Sequence, residues 1–204
     1  DPHPEHRYAR SRLYYFILIT YHSLLRQGTE ATRLKYKDMD KIESKDDKDT
    51  WLYYFNVKDG KKQRNNAPDT IKFLNPDGLK YILTWRKLCK EEYGMRAGDD
   101  DFIFPKLDGT ELETHYMTRL FRRQLLRWDE EGYAKAKKAR KKTTYTPLAH
   151  DQNGVNITLY SFRHTKISKL LIHGERSIAE VSKMADTSLQ QLSNAYFNTQ
   201  MLAD

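Results

Sequence analysis

The stretch LYSFRHTKISKLL, residues 159–171, places an arginine and a histidine inside an otherwise apolar helical pattern. Its apolar residues recur at spacings that face one side of a helix, and Arg163 and His164 interrupt them. A guanidinium group buried in a protein is costly unless it meets an anion. The N–H donors of an arginine match two oxygens of one phosphate or carboxylate. We therefore predict an anion-binding site at Arg163.

Three further segments carry side chains that suit chemistry on an anion. In LLRQGTEATRLKYKD, residues 24–38, Arg26 is followed one helical turn later by Glu30. NAYFN, close to the end of the chain, contains Tyr196. The segment VKDGKKQR carries lysines around a turn: Lys58, Lys61 and Lys62. Each segment alone also fits an ordinary interpretation, such as an ion pair worth about 0.2–0.5 kcal/mol or a solvated hairpin.

The charge balance favours a polyanionic partner. The 204 residues include 36 Lys and Arg against 28 Asp and Glu, which gives a formal net charge of +8. Such an excess favours nucleic acid through neutralisation of phosphates and release of counterions. Part of the excess is local, because AKAKKARKK, residues 134–142, contains no acid. A solvated basic helix or loop is the alternative for this segment. The predicted DNA contacts are Lys61, Lys62, Lys137, Lys138, Arg140, Lys141 and Lys142.

Other features of the sequence exclude several classes of protein. A single cysteine, Cys89, excludes an internal disulfide framework and is compatible with a reducing compartment. The sequence has no apolar run of about 18 residues, so we expect no membrane partner. The histidines show no metal-ligand spacing. GDDD, residues 98–101, is the one segment that suggests a divalent cation and a metal nuclease, and a solvated acidic loop is the preferred interpretation.

Periodicity and capping residues predict the elements that must position these side chains. We predict strands at 50–57 and 70–74, joined by a turn at Asp59-Gly60, after a polar segment from Lys37 to Asp49. The basic residues and TPLAHDQNGVN are expected to form an exposed connection. The predicted helices cover 8–25, from Asn75 or Asp77 to Gly94, 112–130, 158–173, 177–185 and 188–197. The predicted fold is therefore mainly α with a small antiparallel β-sheet.

Taken in order, these segments resemble the catalytic domain of the tyrosine recombinase (phage integrase) family, from about residue 13 to residue 200. RQGTEATRLKYKDM resembles the first arginine box of the family, and VKDGKKQR resembles the β-hairpin with the catalytic lysine. LYSFRHTKISKLLIHG resembles the second box, and MADTSLQQLSNAYF resembles the third box with the nucleophile. The resemblance implies the catalytic-domain fold of a tyrosine recombinase or integrase.

The resemblance also implies a reaction, in which DNA is cleaved and rejoined through a covalent 3′-phosphotyrosine. Arg26 and Arg163 would hold the scissile phosphate and stabilise the charge that builds in the transition state. Tyr196 would attack the phosphorus, and Lys58 would protonate the leaving 5′-oxygen. Glu30 would orient the arginines. No metal or nucleotide cofactor is expected, because the phosphotyrosine bond conserves the energy for rejoining.

The sequence departs from the family at two histidine positions. Tyr160 stands three residues before Arg163, where a histidine is usual, and is expected to donate a hydrogen bond to a phosphate oxygen. Near Thr187 the family usually has histidine or tryptophan, and either Asp186 or Thr187 could fill that third-box position. His164 is expected to play a supporting role.

Partners and setting follow from the same resemblance. We expect double-stranded DNA at attachment or recombination sites, a tetramer on two such sites, and accessory DNA-bending proteins. Residues 1–204 would form a single catalytic domain, with the N-terminal core-binding domain of the family outside this chain. The expected setting is the cytoplasm of a bacterial or phage-infected cell, where the enzyme integrates or excises a phage or mobile element. The alternatives are a type IB topoisomerase or telomere-resolving enzyme, and a non-catalytic DNA-binding relative.

Overall fold

The computed structural model describes residues 3–44, 50–58, 69–138, 147–151 and 154–200. Lys61, Lys62, Arg140, Lys141 and Lys142 lie outside these residues, as does the turn predicted at Asp59-Gly60. The α-helices of the described part are α1 (Pro4–Ser23), α2 (Thr29–Thr32), α3 (Pro76–Glu91), α4 (Tyr116–Lys138), α5 (Leu159–Ile172), α6 (Ile178–Ala185) and α7 (Leu189–Gln200). The strands are β1 (Met39–Glu43), β2 (Trp51–Val57) and β3 (Thr70–Leu74). The predicted fold class, mainly α with a small antiparallel sheet, is confirmed.

The three strands form one antiparallel sheet in the order β1-β2-β3. Phe55 in the central strand lies opposite Met39 on one side and Lys72 on the other. Strands β2 and β3 agree with the predictions. Strand β1 corrects the prediction of a polar segment from Lys37 to Asp49. It is an edge strand whose last four residues are exposed, so its sequence lacks the apolar alternation that identifies a half-buried strand.

The main core lies between the sheet and the long helices. Helix α1 buries Phe16 and Ile19 completely, and it packs against α3, which contributes Ile82 and Trp85. The Trp85 indole N–H donates a hydrogen bond to the Ile103 carbonyl at 2.6 Å, so this large buried ring leaves no polar atom unpaired. Helix α3 begins as predicted after Asn75, whose side chain accepts from the Gly78 N–H at 2.8 Å.

A smaller core joins the last three helices to the end of α1. Leu24 packs with side chains of α5, α6 and α7, of which the buried ones are Ile167, Leu170, Val181, Ala185 and Leu192. Helix α6 begins with a capping box in which Ser177 and Glu180 satisfy each other's N–H groups. The helices predicted at 158–173, 177–185 and 188–197 are confirmed. This smaller core fixes the turn between α6 and α7 close to the end of α1.

Helix α4 is longer than predicted and is shifted toward the C-terminus. The predicted helix ran from 112 to 130, whereas α4 covers Tyr116–Lys138 and includes the first part of the basic segment. That part was predicted to be an exposed connection. Alanine and lysine are strong helix formers, and this propensity continues the helix through the positive charges. Lys137 and Lys138 therefore lie on a helix, with their side chains outside the described part.

Candidate functional site

The end of α1 positions the first arginine. Helix α1 ends at Ser23, and Leu24 adopts a left-handed conformation with φ 55°, which turns the chain away from the helix axis. Arg26 thus lies three residues beyond the end of α1, whereas the predicted helix ended at residue 25, directly before it. Its Nη1 is 2.5 Å from Glu30 Oε1, and its backbone N–H donates to Glu30 Oε2 at 3.0 Å. Glu30 is buried and holds both the backbone and the guanidinium of Arg26.

The second arginine is almost completely buried. Arg163 is 1% exposed on α5, and its guanidinium donates to the carbonyls of Leu24 and Ala185 and, at 3.3 Å, to Thr187 Oγ1. These acceptors are neutral, so they do not neutralise its charge. Its Nε has no hydrogen-bond partner within the described ranges. Burial lowers the pKa of Arg163, because the charged form loses its hydration.

Three cationic side chains converge on the C-terminal end of α6 and the two residues after it, Met184–Thr187, called here the 184–187 turn. The Met184 carbonyl accepts from Lys72 Nζ at 3.1 Å, the Ala185 carbonyl from Arg163, and the Asp186 carbonyl from Arg26. Carbonyls at a helix C-terminus lack helical partners and carry the negative end of the helix dipole. The 184–187 turn therefore attracts cations at three successive carbonyls.

Asp186 supplies a carboxylate to the same cluster. Its backbone is left-handed, with φ 49°, a conformation that favours glycine at a helix C-terminus. Its Oδ2 lies 3.1 Å from Arg26 Nη1. The two candidates for the third-box position thus contact different arginines, because Asp186 binds Arg26 and Thr187 binds Arg163.

Lys72 is the member of the cluster that the sequence did not predict. It lies on β3, is 0% exposed, and faces the core together with Leu74. Burial lowers the pKa of Lys72 to about 7, reinforced by Arg163 and Arg26 and opposed by Glu30 and Asp186. In TIKFL the apolar Ile71 and Phe73 predict the buried face, yet these two are exposed. The same alternation would place Lys72, which stands between them, toward solvent, so the pattern gives no sign of its burial.

Tyr160 and His164 lie at the edge of the arginine pair. Tyr160 is 43% exposed, and with Arg26 and Gly28 it lines an open cleft of about 310 Å³. A hydrogen bond with Tyr160 opposes the effect of burial on the pKa of Arg163. The rings of Tyr160 and His164 meet edge to face, with centroids 4.7 Å apart. Burial, and then the charge of Arg163, lowers the pKa of His164, so its imidazole is mostly neutral at pH 7.

Of the two remaining predicted catalytic residues, Lys58 is not hydrogen-bonded to the arginine cluster in the described part. Lys58 is exposed and lies 3.4 Å from Asp38, although it lines a second cleft, of about 230 Å³, together with Glu30. Tyr196 lies in α7, and its side chain is outside the described part. The roles of Lys58 and Tyr196 stay predictions.

The features that suggested other classes have ordinary partners. Asp99 pairs with Arg86 at 2.7 Å, and Asp100 pairs with Lys37 at 2.6 Å. The described ranges contain no group of three or more His, Cys, Asp or Glu side chains that could hold a metal ion. Cys89 is buried, and burial raises the pKa of its thiol to about 12. Of the helices that the structure describes, none combines the length and apolarity needed to cross a membrane.

Comparison with solved structures shows that the chain has the fold of site-specific recombinases. The chain aligns with the XerA recombinase over 92% of its own length, at 16% identity and a TM-score of 0.53. It aligns with the XerH site-specific recombinase bound to difH substrate over 97%, at 18% identity and a TM-score of 0.55. It aligns with the Tn1549 transposon integrase in complex with transposon right end DNA over 96%, at 14% identity and a TM-score of 0.52.

The chain spans about half of those proteins, namely 54%, 46% and 60% of their respective lengths. No family model and no curated protein matches the sequence. The catalytic-domain fold expected from the resemblance to tyrosine recombinases is thus confirmed at the level of structure.

Proposed function

We propose that this chain is the catalytic domain of a site-specific DNA recombinase, which cleaves and rejoins DNA through a 3′-phosphotyrosine. The observation that carries the proposal is the burial of Arg163 and the set of groups that surround its guanidinium. Its guanidinium is buried beside the more exposed Arg26 and meets neutral acceptors, and its Nε has no hydrogen-bond partner among the residues that the structure describes. A buried guanidinium with neutral acceptors, next to a second guanidinium, suits one phosphodiester, and the bonds of both strengthen as negative charge builds in the transition state.

The remaining residues of the site have roles in the same proposal. The phosphate approaches through the cleft lined by Arg26 and Tyr160 and replaces the Asp186 carboxylate on Arg26. Glu30 keeps that arginine in place during the exchange. Tyr196 is the nucleophile and Lys58 is the general acid, which lies on the other side of Glu30.

The wider proposal concerns partners and setting. Residues 1–204 form one catalytic domain, which acts on DNA inside the cell as part of a tetramer on two recombination sites. The basic residues Lys61, Lys62, Lys137, Lys138, Arg140, Lys141 and Lys142 neutralise flanking phosphates. One of the similar structures is the Tn1549 transposon integrase, so a mobile element is a suitable source of the DNA.

A non-catalytic DNA-binding relative is the second candidate. The observation that favours it is the occupation of both arginines by acceptors of the protein itself. The family's usual histidine is also absent at Tyr160, and its usual histidine or tryptophan is absent at the third-box position, which either Asp186 or Thr187 fills. Such a protein would bind DNA without ever becoming covalently attached to it.

Covalent trapping on nicked DNA separates the two candidates. The duplex carries the junction sequence that flanks the element, with a nick beside the cleavage position so that the cut strand diffuses away. The proposed enzyme accumulates a covalent protein–DNA adduct in excess EDTA, and Arg163→Ala reduces its rate by several orders of magnitude while DNA binding changes far less. Lys87→Met, which alters an exposed lysine of α3, is the matched control and leaves the rate unchanged. DNA binding with no adduct from the unsubstituted protein would identify the non-catalytic relative.

A further inference from the structure

Lys72 is a buried cation that the proposed reaction does not yet use. Its Nζ donates to the Met184 carbonyl at 3.1 Å, and its side chain is completely removed from solvent. Opposite it on β2 stands Phe55, which is also completely buried and offers no charge or hydrogen-bond acceptor from its side chain. A lysine in such surroundings is rarely kept charged without a specific partner.

The charged groups that act on Lys72 come from four other parts of the chain. They are Arg26 beyond α1, Glu30 in α2, Arg163 in α5 and Asp186 after α6. With Lys72 neutral, the two arginines balance the two carboxylates. With Lys72 protonated, the cluster carries one extra positive charge. An entering phosphodiester brings one negative charge, which the protonated form of Lys72 would balance.

We propose, on the basis of the function proposed above, that Lys72 is a positioning residue that takes up a proton when a DNA phosphate enters and then holds the 184–187 turn against β3. The ammonium bound to the Met184 carbonyl fixes the same turn whose next two carbonyls bind Arg163 and Arg26. Because a charged donor forms a stronger hydrogen bond than a neutral one, protonation of Lys72 strengthens the contact that holds both guanidiniums in place. The free protein has a Lys72 pKa of about 7, so the site is only partly protonated near neutral pH.

Calorimetry in several buffers measures this proton directly. Protein carrying Tyr196→Phe, which prevents cleavage under the proposed mechanism, is titrated at pH 8 with an intact duplex of the element's junction sequence. The buffers, Pipes, Hepes and Tris, differ in ionisation enthalpy, so the slope of the binding enthalpy against that quantity gives the protons taken up. We expect uptake approaching about one proton per bound chain, because a group with a pKa of about 7 is mostly neutral at pH 8.

Substitutions assign the proton to Lys72. Adding Lys72→Met should remove more than half of the uptake, whereas the exposed control Lys87→Met should leave it intact. Lys72→Arg keeps a charge that does not titrate, so it should bind DNA without the uptake. In the covalent trapping assay, with Tyr196 restored, Lys72→Met should form adduct at least about tenfold more slowly at saturating DNA. Thermal unfolding verifies that both Lys72 variants are folded.

The outcomes separate this inference from the proposed function. Equal proton uptake in the Lys72→Met and unsubstituted forms would overturn the role of Lys72, even if the trapping assay showed the recombinase reaction. The same conclusion would follow if a folded Lys72→Met protein formed adduct at the unsubstituted rate. An unsubstituted protein that neither binds the duplex nor forms adduct would overturn the proposed function, and this inference with it.

Discussion

Replacing Lys72 by methionine should change how the stability of the free protein depends on pH. Burial lowers the pKa of Lys72 from its ordinary value of 10.5 to about 7. Between these two values the unfolded chain binds a proton that the folded protein does not. The free energy of unfolding contributed by this group therefore rises with pH from about 7 to 10.5 and is lost again as the pH falls toward 7.

The magnitude follows from the two pKa values. Each pKa unit corresponds to about 1.4 kcal/mol, so the whole interval sets a ceiling of about 5 kcal/mol, and the part between pH 7 and pH 9 amounts to about 2–3 kcal/mol. Methionine also leaves the Met184 carbonyl without its Lys72 partner, which costs about 1–3 kcal/mol at every pH. The difference in the free energy of unfolding between the two proteins contains both effects. Only the charge effect changes with pH, so the pH dependence of that difference measures it separately.

Urea unfolding of both proteins from pH 6 to pH 9 is the assay. The unsubstituted protein should gain about 2–3 kcal/mol relative to Lys72→Met between pH 7 and pH 9, and the difference should be constant below pH 7. Lys87→Met, which alters an exposed lysine, should run parallel to the unsubstituted protein throughout. Parallel curves for Lys72→Met as well would refute the reasoning, because they would mean that Lys72 titrates alike in the folded and unfolded states.

Further predictions concern the proposed reaction. Arg26→Ala should slow adduct formation by several orders of magnitude with much weaker effects on DNA affinity, and a near-normal rate would show that Arg26 is not a clamp residue. Lys58→Ala should slow cleavage, and a 5′-bridging phosphorothiolate should restore it, since a thiolate leaves without protonation; rescue of a Lys61 variant instead would move the acid along the hairpin. Peptide mapping of the adduct should find DNA on Tyr196, with Tyr160→Phe slower but still competent. DNA on Tyr160 would overturn this assignment.

Local signals in the sequence were sufficient for most of the elements. Of the two caps predicted for α3, Asn75 or Asp77, it is Asn75 whose side chain satisfies an N–H group that a helix start leaves free. The β-rich run before VKDGKKQR and the return strand expected after its turn located β2 and β3. Strand β1 was missed because its residues are mostly exposed, and its place depends on pairing with β2 rather than on its own pattern.

The candidate site was likewise predicted only in part from the sequence. Arg26, Glu30 and Arg163 were identified from residue type and spacing, and the fold brings them together around the 184–187 turn. Lys72 was not identified, because Ile71 and Phe73 of β3 point outward while Lys72 points inward beside Leu74. The five residues of β3 contain no sequence pattern that reveals this inverted orientation of the strand. It depends on a helix end, the C-terminus of α6, which attracts cations from across the fold.

The absence of the usual histidines and the burial of Lys72 together determine which group of the site changes its charge near neutral pH. Tyr160 and Thr187 carry hydroxyl groups, which cannot add a positive charge as a protonated imidazole would. His164 is adjacent, but burial and Arg163 lower its pKa and keep it mostly neutral at pH 7. Lys72 is then the group in the described cluster that changes charge near neutral pH. The capacity to adjust charge, which histidines would supply from the second and third boxes, lies instead on the β-sheet.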